Sequence, residues 1–221
     1  MPVIVFASSK GGAGKSTACV LVGSELARQG LDKNIRVALL DADPNSHSSG
    51  WAILDGCPRN IEIMNNLNEN NILDAIDLAK KTCPFVLIDL EGVSSNTVTF
   101  AISQADLVII PCQPSQNDAK EAVKTLKMVK NSSRLISKNI PSWILFTRLS
   151  AAIVTKTSRS LLSDFKAANV NVFSTSLIDR EVFRSIFSFG GTIDKFKNFE
   201  KAQVNVNSLV SEIKNILKKG K

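Results

Sequence analysis

Apolar residues along the chain form short continuous runs that alternate with longer stretches of mixed polarity. The runs, rich in Val, Ile, Leu and Phe, occupy residues 3–7, 36–40, 85–89, 107–110, 143–147 and 170–173. Such runs are typical of strands covered by helices on both faces. Amphipathic stretches that read as helices lie at residues 16–29, 70–82, 96–104, 116–130 and 155–168. The alternation predicts an α/β fold, with a doubly wound, mostly parallel sheet flanked by helices.

The same pattern predicts one domain over residues 1–221, because no repeat, charge block or Pro/Gly/Ser-rich linker divides the chain. In an open sheet of this type, ligands bind beyond the carboxyl ends of the strands. The loops after residues 7, 40, 89 and 110 are therefore the places where we expect a functional site.

A last helix is predicted near the C-terminus, where apolar residues recur at the spacing of one helical face. Its apolar positions are Val206, Leu209, Val210, Ile213 and Leu217. One interpretation is a helix packed on the sheet, with lysines in the last turn that favour the helix dipole. The other is a basic amphipathic membrane anchor, which the absence of bulky aromatic residues disfavours.

Composition restricts the chemistry. The chain is 44% hydrophobic and 21% charged, which is ordinary for a globular protein. Its four cysteines form no Cys-x-x-Cys pair and it has one histidine, so we expect reduced thiols and no zinc site. His47 is predicted in a surface loop, and Cys112 as a small packing residue.

Charge is distributed unevenly between the two halves of the chain. Residues 1–119 contain 8 Lys and Arg against 13 Asp and Glu, whereas residues 120–221 contain 19 against 7. The second half therefore carries a net charge of +12, against a total of +7. This asymmetry suggests a polyanionic partner, and the alternative is a solvated lysine-rich surface without one.

The strongest motif is the segment Ser-Ser-Lys-Gly-Gly-Ala-Gly-Lys-Ser-Thr at residues 8–17, between the first strand and the first helix. This context is that of a phosphate-binding P-loop, although Ser9 stands where a first glycine is expected. Backbone amides and the helix N-terminus would hold the phosphates, Lys15 would contact the β- and γ-phosphates, and Ser16 would ligate Mg²⁺. The predicted binding residues are Gly11, Gly12, Ala13, Gly14, Lys15, Ser16 and Thr17.

Two later strands end in carboxylates. The strand at residues 85–89 ends in Asp89, the form of a Walker B strand whose carboxylate holds Mg²⁺, usually through water. The segment before Pro44 contains Asp41 and Asp43. These two could instead form a helix cap or an Asx turn.

The segment Lys-Gly-Gly-Ala-Gly-Lys-Ser resembles the deviant Walker A motif of the ParA/MinD family of ATPases. The resemblance implies ATP with Mg²⁺ as cofactors and a homodimer that sandwiches two ATP molecules. Lys10 would then reach the partner's phosphates, in the manner of an arginine finger supplied in trans. Asp41-Ala42-Asp43-Pro44 is similar to the family's switch I segment, in which the residue matching Asp43 positions the attacking water.

Within this resemblance the expected catalytic residues are Lys10, Lys15 and Asp43, and the expected metal ligands are Ser16, Asp89 and Asp41. The residues that match the family run from residue 2 to about 150. Glu91 departs from the small residue and Pro or Gly that many relatives have after the Walker B strand.

The resemblance is greatest to small ParA-type DNA partition ATPases. It implies a cytoplasmic, nucleoid-associated ATPase that is weak alone, binds DNA without sequence preference, and is stimulated by a ParB-like centromere-binding or adaptor protein. The alternatives are a MinD-like membrane-associated ATPase, a relative that positions a conjugation complex or protein compartment, and a nucleotide-dependent scaffold without hydrolysis. The candidate DNA-binding residues are Arg180, Arg184, Lys195, Lys197, Lys201, Lys214, Lys218 and Lys219.

Overall fold

The computed structural model describes residues 1–92, 95–151 and 155–219. Within these ranges six strands form one sheet. They are β1 (Val3–Phe6), β2 (Val37–Ala42), β3 (Ile61–Met64), β4 (Phe85–Leu90), β5 (Leu107–Cys112) and β6 (Ser142–Phe146). The same ranges contain eight α-helices. They are α1 (Lys15–Gly30), α2 (His47–Ala52), α3 (Ile72–Thr82), α4 (Asn96–Ser103), α5 (Gln116–Leu135), α6 (Lys156–Ala167), α7 (Glu181–Phe189) and α8 (Glu200–Lys219).

The sheet has the order β3-β2-β4-β1-β5-β6, and every neighbouring pair is parallel. In the register of β4, Asp89 lies beside Phe6 of β1 and beside Asp41 of β2. The carboxyl ends of the three central strands therefore meet at one edge, where the P-loop also begins. The predicted α/β class with a doubly wound parallel sheet is confirmed.

The sheet lies between two helical layers, each with its own apolar core. Helices α3, α4, α5 and α6 cover one face, which holds the core around Val5, Ile88 and Val108. Helices α1, α7 and α8 cover the other face, around Ile4, Leu87 and Ile109. The central strands are buried on both faces, which explains why they read as continuous apolar runs.

The predicted strands differ from the observed ones in two places: one strand was missed, and one predicted strand is wrong. The strand β3 was not predicted, because it is a half-buried edge strand that contains Glu62 and lacks an apolar run. The predicted strand at residues 170–173 is not part of the sheet: only an isolated bridge joins Val172 to Ile144 of β6. The exposed Asn171 interrupts that segment.

Two helices were also missed. Helix α2 has only six residues, including two serines and a glycine, so propensity does not indicate it. Its first residue is His47, so the prediction of a surface loop at this position is wrong, although the side chain is exposed. Helix α7 is amphipathic but spans only nine residues.

Helix α8 packs as the first interpretation of the C-terminal pattern expected. Val206, Leu209, Val210 and Ile213 are buried in the core that α8 shares with α1. No helix in the described ranges has the length and apolarity needed to cross a bilayer.

Helices α2 and α7, which flank the site described below, are joined by a close backbone contact. Gly190 follows α7 with a φ of +76°, and a Cβ built on it would lie 2.4 Å from the carbonyl oxygen of Asp55 and 2.7 Å from Cβ of Leu54. Next to it, the indole N–H of Trp51 donates to the carbonyl oxygen of Gly191 at 2.9 Å. Only glycine fits this junction without strain.

We therefore expect Gly190→Ala to lower the free energy of unfolding by about 2 kcal/mol or more, because it combines a backbone clash with an unfavourable φ. Gly50→Ala is the matched control: Gly50 lies within α2, and its added Cβ would meet nothing within 4 Å. That change should be neutral or stabilising by up to about 1 kcal/mol. Urea unfolding of both variants measures the difference, and equal stabilities would show that the junction tolerates a side chain.

Candidate nucleotide-binding site

The loop between β1 and α1 has the backbone geometry of an anion-binding turn. Gly12 and Gly14 have φ values of +75° and +102°, which side chains other than glycine rarely adopt. Gly14 precedes α1 directly and caps it without a side-chain hydrogen bond. The first amides of α1 are therefore available to an anion, and the helix dipole favours negative charge there.

A cavity of about 320 Å³ opens on this loop. The predicted residues Gly11, Gly12, Gly14, Lys15, Ser16, Thr17 and Asp43 line it, together with Asn45, His47, Gly92, Arg148 and Phe187. A Cβ on Gly92 would lie 3.3 Å from the amide nitrogen of Gly11 and 3.5 Å from Nζ of Lys15, so Gly92 lies close against the loop. The sequence motif did not indicate His47, Arg148 or Phe187.

Lys15 carries a buried positive charge at this cavity. Only 6% of the residue is exposed. Burial lowers the pKa of its ammonium group, and the negative charges of Asp89, Asp43 and Glu91 oppose that effect. A bound polyphosphate would supply the negative partner that a desolvated ammonium group requires.

Asp89 is the most buried carboxylate of the site. Burial raises its pKa to about 6, although the hydroxyls of Ser48 and Ser16 lower it in part. The Ser48 hydroxyl donates to Oδ2 at 2.7 Å, while Oδ1 is buried and lacks a hydrogen-bond partner among the described residues. An orphaned carboxylate oxygen near a hydroxyl suits Mg²⁺ or one of its waters.

Asp41 and Asp43 have different surroundings. Both oxygens of Asp41 accept backbone N–H groups, from Asp43 at 3.2 Å and from Ser49 at 2.7 Å. Oδ1 of Asp43 accepts the backbone and side-chain N–H groups of Asn45, both at 2.9 Å, and Asp43 also lines the cavity. Asp41 is thus engaged in shaping the turn between β2 and α2, whereas Asp43 faces the ligand space.

Lys10 lies outside the cavity and contacts α5 of its own chain. Its Nζ is 2.9 Å from Oδ2 of Asp118, which is 5% exposed. The Ser115 hydroxyl donates to the same oxygen at 2.5 Å. The other oxygen of Asp118, Oδ1, is buried and receives no hydrogen bond from the described residues. Burial would raise the pKa of Asp118, but its hydrogen bonds to Ser115 and Lys10 hold it below the usual value.

Ser9, at the position of the missing first glycine, ties the start of the loop to the same helix. Its amide N–H donates to Oγ1 of Thr125 at 3.0 Å. Its hydroxyl oxygen lies 2.9 Å from the carbonyl oxygen of Glu121 and 2.8 Å from that residue's carboxylate. In the sequence, only the serine in place of glycine indicates that the loop contacts α5. Its partners on that helix, Thr125, Glu121 and Asp118, were not predicted because they lie more than 100 positions from the loop along the chain.

A second cavity of about 200 Å³ adjoins the first, and the two share Gly14, Thr17 and Arg148. It is lined further by residues 177–180, Phe183, Arg184 and Thr147, whose hydroxyl donates to the carbonyl oxygen of Ala13 at 2.9 Å. Arg148 has a φ of +54°, an unusual conformation for a residue with a side chain and one that is enriched at functional sites.

The candidate DNA-binding residues are divided between several places. Arg180 and Arg184 line the second cavity, where Arg184 pairs with Asp179 at 2.6 Å and Glu181 at 2.8 Å. Lys214 is half-buried, donates to Gln29, and has its pKa lowered by burial. Lys195, Lys197, Lys201, Lys218 and Lys219 are exposed, in the segment before α8 and along that helix.

Comparison with known proteins identifies relatives of this chain. Residues 1–210 match the family model described as VirC1 protein. The chain is 36% identical over 198 residues to Protein ParA of Rhizobium radiobacter, an alignment that covers 90% of this chain and 87% of that protein. It is 30% identical over 193 residues to Protein virC1 of Rhizobium rhizogenes, covering 84% and 80%.

The fold is also similar to that of a solved structure, the ATP complex of a McdA variant from Cyanothece. The TM-score is 0.76, with 16% sequence identity over 96% of each chain. This similarity concerns the fold, whereas the family match covers residues 1–210 of the sequence. The chain belongs to the VirC1 protein family, within the ParA/MinD group of P-loop ATPases.

Proposed function

We propose that this protein binds and hydrolyses ATP with Mg²⁺ and uses the cycle to position DNA. The observation that carries the proposal is the cavity on the P-loop, which is lined by the glycines of the loop and by the buried Lys15. The charge of Asp89, which has one oxygen without a hydrogen-bond partner among the described residues, interacts with that of Lys15. A magnesium–nucleotide complex would supply a negative ligand for Lys15 and a cation for Asp89. The adjoining cavity beside Thr17 and Thr147 would receive the base.

Each group of the site has one task in this proposal. The amides of Gly11, Gly12, Ala13, Gly14, Lys15, Ser16 and Thr17 hold the phosphates. Lys15 binds the β- and γ-phosphate oxygens, while Ser16 and Asp89 hold Mg²⁺, which when bound neutralises charge on the same oxygens. Few protein ligands are needed, because phosphates and water complete the coordination of Mg²⁺. Asp41, for which the resemblance implies a role as a third ligand, serves in this proposal to hold the turn that presents Asp43.

Asp43 orients the attacking water in this proposal. Its Oδ1 is held by the two N–H groups of Asn45, and its carboxylate borders the ligand cavity. A fixed carboxylate at this edge accepts a hydrogen bond from a water in line with the γ-phosphate.

Lys10 acts across a homodimer that forms when ATP is bound. Within one chain it binds Asp118 and lies outside the ligand cavity, so it contributes nothing to its own nucleotide there. To reach the partner's phosphates it has to leave Asp118. The second cation then stabilises charge that develops on the transferred phosphoryl group.

The charge distribution and the relatives support the choice of partner molecules in this proposal. The net charge of +12 in residues 120–221 suits phosphate-backbone binding without base readout. The 36% identity to a protein named ParA supports a role in partition, with a ParB-like or adaptor protein that stimulates hydrolysis. We propose a cytoplasmic site of action on the nucleoid.

The two lysines of the loop are expected to differ in function. Lys15→Ala should weaken ATP binding by roughly 100-fold, because it removes a charged contact to phosphate. Lys10→Ala should leave affinity nearly unchanged and prevent the dimer. Asp118→Asn keeps Lys10 and weakens its restraint, so it should dimerise at lower protein concentration than wild type. Sedimentation with a non-hydrolysable ATP analogue measures all three, and a Lys10→Ala protein that dimerises normally would exclude the role in trans.

Asp43→Asn tests the orienting carboxylate with little change in shape. The amide oxygen can still accept from Asn45, so ATP binding and dimerisation should persist. Turnover should fall by about 100-fold or more, the usual contribution of a general base or orienting group. Phosphate release under single-turnover conditions gives the rate. Full activity in this variant would mean that another residue, with Glu91 the next candidate, places the water.

A further inference from the structure

The outer face of α5 carries a row of five basic residues that the sequence analysis did not single out. We call it the α5 stripe: Lys120, Lys124, Lys127, Lys130 and Arg134. All five side chains are exposed. Their spacings of three and four residues keep them within about 120° of the helix circumference. Basic residues thus follow one face over most of the length of the helix.

Little negative charge opposes the stripe. Lys124 pairs with Glu121 at 2.7 Å, and the described residues offer no ion pair to the other four. The only other carboxylate of α5 belongs to Asp118, which is buried on the inner side against Lys10. Of the neighbouring helices, α4 has no charged residue, and α6 has more basic than acidic residues. The stripe is therefore a local excess of positive charge.

The stripe lies on the opposite side of the sheet from the basic residues of the C-terminal segment. Ala119, Ala122 and Val129 of α5 are buried in the core of one helical layer. Val206 and Leu209 of α8 are buried in the core of the other layer. A duplex that lies along α5 does not reach the lysines before and along α8 in the same subunit, so the two surfaces are separate alternatives.

The inner side of α5 contacts the nucleotide loop. Asp118 holds Lys10, and Thr125 and Glu121 hold Ser9, within the same two turns that carry Lys120 and Lys124 outside. One rigid helix thus joins the start of the P-loop to the basic face. A change at Lys10 on ATP binding would be transmitted to the helix that carries the stripe.

We propose that the α5 stripe is the surface on which this protein binds the phosphate backbone of double-stranded DNA. From Lys120 to Arg134 the helix rises about 21 Å, or roughly six base-pair steps of duplex. The positive charge of the stripe is complementary to the negative phosphate backbone of DNA, which favours DNA as the partner. A membrane surface fits less well, because only Val123 and Leu135 add exposed apolar area to the helix, which is too little for interfacial insertion. This inference rests on the DNA-binding part of the proposed function and assigns its surface.

The test compares two triple variants of the full-length protein with the same loss of charge. The stripe variant is Lys120→Ala, Lys127→Ala, Lys130→Ala, and the matched control on the opposite layer is Lys195→Ala, Lys197→Ala, Lys201→Ala. Affinity of the ATP- and Mg²⁺-bound proteins is measured from 50 to 200 mM salt on two duplexes of unrelated sequence. Thermal unfolding and basal ATP hydrolysis of each variant verify that the site is intact.

In the stripe variant the slope of log affinity against log salt should be less steep than in wild type by about 2.7, because three phosphate contacts are removed. The change should be the same on both duplexes. The variant's affinity ratio between 50 and 200 mM salt should therefore shrink roughly 40-fold relative to wild type. The control should keep the wild-type slope. Equal losses in the two variants, or a loss in the control alone, would overturn the assignment while leaving DNA binding itself intact.

Two further outcomes separate this inference from the proposed function. Wild-type protein that binds neither duplex would refute the DNA-binding part of the proposed function, and the inference with it. Vesicles of phosphatidylglycerol and phosphatidylcholine provide the second arm. Binding to these vesicles but not to DNA, lost in the stripe variant, would make α5 a membrane surface and would also overturn the proposal.

Discussion

Lys15 and Asp89 are held largely out of water at the carboxyl edge of the sheet, and the rest of the site is arranged around that constraint. Buried charges are costly unless each has a partner. Here the apolar strands β1 and β4 keep the two groups in place, Ser48 satisfies one oxygen of Asp89, and the other oxygen remains without a donor among the described residues. A magnesium–nucleotide complex would add phosphate oxygens that can pair with Lys15 and a cation that can pair with Asp89.

Helix α5 is the second element on which the arrangement depends. It packs on the sheet through small apolar residues, caps its own N-terminus with Ser115, and uses Asp118, Glu121 and Thr125 to hold the first residues of the P-loop. Of these contacts, the ion pair between Lys10 and Asp118 is the one that Lys10 can most easily leave for another partner, since its side chain is 40% exposed whereas the carboxylate is buried.

The two helical layers separate the tasks of the molecule. One layer carries α5 and its basic outer face, and the other carries α1, α7 and α8, with the cavity beside Thr17 at the edge of α7. Gly190 and Trp51 join α7 to α2, so the wall of the ligand space is continuous with the turn that presents Asp43. Partners that bind on different layers would act on the nucleotide through different helices.

Features that depend only on neighbouring residues could be predicted from the amino-acid sequence. Continuous apolar runs predicted five of the six strands, and glycines with a following lysine and serine predicted the P-loop, because both signals are local. Tertiary structure alone decided the edge strand β3, the helix start at His47, and the contacts of Ser9 and Lys10 with α5. These depend on pairs such as Lys10 and Asp118, which are 108 positions apart and carry no periodicity. Polar contacts of that kind become visible only when the sheet order has brought β5 and its following helix beside β1.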